Sequence, residues 1–114
     1  MTTKEWLNRG WEINCNINSL LEEQRNIPTH DRYKKYSETI NKKIDELYDI
    51  KNEIEHTIEK VDDHILQTLL RERYIKFESW ETIAETIHYE SVRWVRTAVH
   101  NRALQSLQKI ITDC

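Results

Sequence analysis

Two Glu-x-x-His pairs, Glu53 with His56 and Glu85 with His88, have the spacing with which helical bundles hold iron or manganese. Fourteen Glu and five His in 114 residues yield about 0.6 such pairs by chance, so two of them weigh little. A ligand set must also point into a bundle core, whereas His56 flanks a seam filled by Ile54 and Ile58. There is no Gly-rich phosphate loop and no Ser-centred elbow. His30, His64 and His100 have no carboxylate or thiol partner by spacing. Cys15 and Cys114 lie far apart without CxxC spacing, so two free thiols are expected, as in a reducing cytoplasm. No catalytic residue, metal ligand or cofactor is expected, and an enzyme is not the reading.

A different chemistry is written near the end of the chain. Residues 1–64 carry 10 Lys and Arg against 14 Asp and Glu, whereas residues 65–114 carry 7 against 6. Between Ser91 and Ile111 stand Arg93, Arg96, Arg102 and Lys109, with no acid. Although the whole chain has a net charge of −3, its attraction for polyanions is thus concentrated in one segment. With Val95, Val99 and Ala103 turned inward on a helix, the opposite side presents Trp94, Thr97 and Asn101. Arg93 and His100 lie beside them, and Arg96 sits nearer the inner edge. Such a mixture suits the major groove of duplex DNA. Arg bonds guanine bidentately, Asn pairs with adenine, and a Thr methyl meets a thymine methyl. Ser91 begins the helix, Thr82 and the preceding helix's amino end are placed for phosphate, and Arg102 and Lys109 for phosphate further along.

These residues need helices to position them, and helices are what the composition supplies. One Gly and one Pro leave almost no material for the tight turns of a β fold, so an all-α chain is expected. The first helix spans about 3–26, with Trp6, Leu7, Trp11, Ile13, Ile17, Leu20 and Leu21 over half its circumference. Pro28 breaks it, and Asp31 is the candidate cap of a second helix of about 30 residues. Tyr33, Tyr36, Ile40, Ile44, Leu47, Ile50, Ile54, Ile58 and Val61 form its narrow seam. The two make a long N-terminal helical hairpin over 1–62, for dimerisation or partner contact.

Residues 63–114 then read as a three-helix unit. Asp62-Asp63 caps a third helix over about 64–77, with Ile65, Leu66, Leu69, Leu70, Tyr74 and Phe77 inward. Ser79 caps a short fourth helix over 80–87, with Trp80, Ile83, Ala84 and Ile87 on its buried face. Ser91 caps the fifth, which runs to about 111 with Val92, Val95, Val99, Ala103, Leu107 and Ile110 inward. Ala84 is small where the fourth helix must approach the fifth closely.

The span SWETIAETIHYESVRWVRTAVHNRAL resembles the helix-turn-helix of sigma factor region 4. It is more similar still to the RinA/ArpU-like phage transcriptional regulators. The similarity is carried by Tyr74-Ile75, Ser79 to Ala84, Tyr89, Ser91, Val95, His100 and Ala103-Leu104, and covers roughly 63–107. It implies a cytoplasmic, phage or prophage regulator that binds double-stranded DNA at a promoter, with 91–111 as recognition helix. His88 stands where such motifs usually carry Gly, and Glu90 lengthens the turn by one residue. The extra residue gives the chain a route around positive φ at His88.

A second reading keeps the same shape as a scaffold for protein contacts, either an adaptor or an RNA polymerase-binding factor. A large aromatic opposite the apolar stripe, Trp94, needs a partner of some kind: DNA, a second protomer of a homodimer, or the hairpin. No apolar run is long enough to span a membrane, and MTTKEWLNRGWE lacks a signal-peptide core.

Overall fold

The computed structural model describes residues 2–113, which are helical throughout apart from short connections. Helix α1 is Thr3–Arg25, and Thr2 accepts the Glu5 N–H at its amino end. Helix α2 is Lys34–Glu59. Asp31 does not cap it: His30 accepts the Arg32 N–H and opens a 3-10 turn, Asp31–Tyr33, from which α2 continues. Pro28 keeps this connection out of helical geometry, and Gln24–Asn41 and Tyr36–Glu23 hydrogen bonds close the hairpin beside it.

Helix α3, His64–Tyr74, begins where Asp63 accepts the Ile65 and Leu66 N–H groups. It ends three residues earlier than the apolar pattern predicts. Phe77 turns to φ 58°, and the Glu78 N–H reaches back to the Glu72 carbonyl. Helix α4 is Trp80–Thr86, capped by Ser79. Helix α5 runs over 92–113 in three continuous pieces: α over Val92–Trp94, π over Val95–Val99, and α over His100–Asp113.

One core holds all five helices. Leu7, Ile13 and Ile17 of α1 and Ile54 and Ile58 of α2 cluster with Leu66, Leu69, Leu70, Ile83, Val95, Val99, Ala103 and Leu107. Residues on either side of position 62 therefore share it, and Val61, in the connection, is itself buried. Arg71 adds a link from α3 to Glu55 of α2 at 2.9 Å, a partly exposed pair of modest worth. Gly10 lets α1 lie against the end of α3: a Cβ there would stand 3.1 Å from the Tyr74 carbonyl.

Three apolar side chains expected inside are not. Trp11 is 56% exposed and packs only its edge against Phe77, with ring centroids 5.0 Å apart. Tyr36 and Ile65 are exposed as well. Tyr36 sits at the connected end of the hairpin, away from the shared core, where its hydroxyl reaches Glu23. Ile65 falls in the first turn of α3, turned away from the shared core. No helix among the described residues is long and apolar enough to cross a membrane.

Candidate nucleic-acid interface

The turn between α4 and α5 fixes how α5 stands. His88 takes φ 61°, the left-handed geometry that a β-carbon disfavours, so the longer turn does not avoid the strain. The Tyr89 N–H bonds the Ala84 carbonyl and the His88 N–H bonds the Glu85 carbonyl, which is a Schellman closure without glycine. Tyr89 then packs against the core. Ser91 restarts the helix by accepting the Trp94 N–H at 3.1 Å.

Beyond that cap α5 presents its polar side. Arg93, Trp94, Arg96, Thr97, Asn101 and Arg102 are all exposed, as is Ser91. Among the described residues no ion pair involves Arg93, Arg96 or Arg102, so no carboxylate there neutralises these cations. The Thr97 hydroxyl bonds the Arg93 carbonyl one turn back, which leaves its methyl without a hydrogen-bonding role. Trp94 is 51% exposed. Thr82 is exposed on α4, but its N–H donates to the Ser79 hydroxyl and its own hydroxyl oxygen accepts from that hydroxyl, leaving its hydroxyl hydrogen as its free donor.

His100 is the correction. The sequence places it beside the groove-facing side chains, yet only 7% of it is exposed. Its Nε2 lies 2.6 Å from the Tyr74 hydroxyl, and Trp80 meets the ring edge-on at 4.8 Å. Arg73 in turn lies 4.5 Å over the Trp80 ring and donates to the Glu78 carbonyl. Burial, then the charge of Lys4 and the weaker charge of Arg73, push the His100 pKa down to about 4. A hydrogen bond to the Arg96 backbone opposes them. Burial pushes the Tyr74 hydroxyl up to about 12, against the pull of Arg73. At neutral pH both groups are therefore uncharged, with the phenol donating to an unprotonated ring nitrogen. His100 cannot touch a base without leaving this site.

The π turn explains the change of side. It takes in one more residue than an α turn, and the His100 N–H bonds the Val95 carbonyl five residues back. His100 is thereby brought round to the core face. A signal for this lies in the sequence. Val95, Val99, Ala103 and Leu107 repeat every four residues, and on an unbroken α-helix such a row drifts about 40° per step. One inserted residue restores roughly 100° of that drift. All four are buried, with Val95 and Leu107 at 0% exposure.

The two Glu-x-x-His pairs sit apart from this face. Glu53 and His56 are exposed on α2, and Glu85 and His88 are exposed at the α4–α5 turn. Among the described residues no three His, Cys, Asp or Glu side chains gather as metal ligands would. Cys15 is an exposed free thiol, and Cys114 lies outside the described residues. No family model matches the chain, and neither curated proteins nor solved structures give a significant match.

Proposed function

We propose that the protein binds duplex DNA through α5 and acts as a transcriptional regulator. The observation that carries this reading is the exposed, acid-free face of α5, on which Arg93, Arg96, Thr97 and Asn101 stand without ion-pair partners among the described residues. Guanidinium groups, a Thr methyl and a carboxamide are the groups that read base edges in a major groove. Arg102 and Lys109, further along, meet phosphate. The α4–turn–α5 order fits the resemblance to sigma region 4 and to the RinA/ArpU-like phage regulators. On this reading the hairpin contacts RNA polymerase or a second copy of the chain.

The test is salt-dependent binding to a duplex selected from random sequence. Replacing Arg93 and Thr97 together by Ala should weaken specific binding by at least tenfold, since each good base contact is worth about 1–3 kcal/mol. Failure to bind any duplex at low salt would remove the reading. The exposed Trp94 favours the second one, in which the same surface docks a protein. In that case Trp94→Ala would abolish a protein complex and leave DNA affinity unchanged.

A further inference from the structure

The π turn that straightens the core row of α5 does the same to the row on its opposite side. Arg93, Thr97, Asn101 and Gln105 also repeat every four residues, and all are exposed. On an unbroken α-helix they would wind through about 120° of arc, so that Gln105 would leave the face that Arg93 defines. The extra residue taken in at Val95–Val99 removes about 100° of that, and the four fall into nearly one line. Two observations fix the register beyond the turn. His100 is held inward by Tyr74, and Ala103 and Leu107 are fully buried. Gln105 stands opposite these buried residues and cannot turn in without unseating them.

We infer that Gln105 is a further specificity-determining residue, and that the straightened row carries base contact past Asn101 to a Gln that pairs bidentately with adenine. The row is about 18 Å long at 1.5 Å per residue, which is roughly five base-pair steps. A carboxamide two turns beyond the Arg–Thr pair extends the site rather than strengthening the same contact. Gln carries no charge, so its contribution is selectivity and not general attraction for phosphate. Lys4 borders the same hollow as Asn101 and Gln105 and supplies a cation beside them.

This inference rests on the DNA-binding reading, and the experiment separates the two. Operators are selected with the unsubstituted protein, and affinity for the selected and for a random duplex is measured for Gln105→Ala and Gln108→Ala. Gln108 lines the same hollow as Gln105 on the next turn, but its carboxamide is engaged by Thr3 of α1, so it is the neighbouring control. The expected result is a five- to fifty-fold loss of preference for the selected duplex in Gln105→Ala, with random-duplex affinity and melting temperature unchanged. Gln108→Ala should keep the preference. Equal preference in Gln105→Ala and unsubstituted protein, or a larger loss in Gln108→Ala, would overturn the inference while leaving DNA binding intact. No binding by the unsubstituted protein would overturn both.

Discussion

The Tyr74 hydroxyl lies 2.6 Å from His100 Nε2 and so ties the π turn of α5 to the last turn of α3. The pair sits under the exposed face without reaching it. Its two members bear on that exposed face only by holding α5 in place, which makes acid the natural way to challenge them.

His100 titrates at about 4 in the folded chain and near 6.5 when unfolded. Above pH 6.5 both states are neutral, and the full stabilisation is present. Between pH 6.5 and 4 the unfolded chain gains a proton that the folded one refuses, so stability falls as pH falls. The expected share is on the order of 1–3 kcal/mol. Melting curves from pH 7.5 to 4 should lose most of this slope in a Tyr74→Phe, His100→Leu double variant. Tyr74, raised to about 12, adds the opposite limb, with stability lost as pH climbs above 10.

His100 and Arg93 should respond oppositely to truncation. His100→Ala empties a buried site and strands the Tyr74 hydroxyl, for an expected loss of about 2–4 kcal/mol. Arg93→Ala removes an exposed side chain and should hold stability within about 0.5 kcal/mol while lowering duplex affinity. Thermal melting beside a binding titration reads both. An Arg93→Ala protein that melts well below the unsubstituted chain would place that residue in the scaffold.

His88→Gly should stabilise the protein. Glycine relieves a left-handed residue of about 1–2 kcal/mol of strain and returns up to about 1 kcal/mol to the unfolded chain as entropy. A rise of a few degrees in melting temperature is expected, and His88→Val should lower it. A fall with Gly would mean that the imidazole itself contributes at the turn.

Asp63→Ala should cost about 1–2 kcal/mol, because one carboxylate oxygen accepts both the Ile65 and the Leu66 N–H. Asp62→Ala should cost little, since Asp62 is exposed and is not the cap. Chemical denaturation of the two variants makes the comparison, and equal losses would contradict the assignment.

Much of this architecture is legible in the residues. Asp63, Ser79 and Ser91 announce helix starts because each is a short oxygen-bearing side chain ahead of an apolar repeat, and all three cap as that pattern implies. Asp31 carries the same signal and fails, because His30 bonds the backbone one residue earlier and a 3-10 turn intervenes. Trp11 fits the periodicity of α1 but lies at the edge of what the neighbouring helices cover. Local spacing has no access to that boundary. His100 is missed for a subtler reason: projection at 100° per residue assumes an unbroken α-helix, and a single π turn voids it for every residue beyond. The four-residue repeat of Val95, Val99, Ala103 and Leu107 was the available warning.

A π turn is also what a helix forms when it gains one residue and keeps both of its faces. The stretch from Arg93 to Gln105 is therefore legible as twelve residues with one insertion, and shortening it is a physical possibility of this fold. Removing Ala98, half-buried within the turn, would let the helix close as continuous α while Ala103 and Leu107 kept their places in the core. Arg93 and Thr97 would stay where they are, and Asn101 and Gln105 would draw nearer by about 1.5 Å. Against a base-pair spacing of about 3.4 Å, that is close to half a step. One codon gained or lost at this place thus re-spaces the two halves of the row without disturbing the protein beneath it, which on the proposed function would shift their register against a duplex.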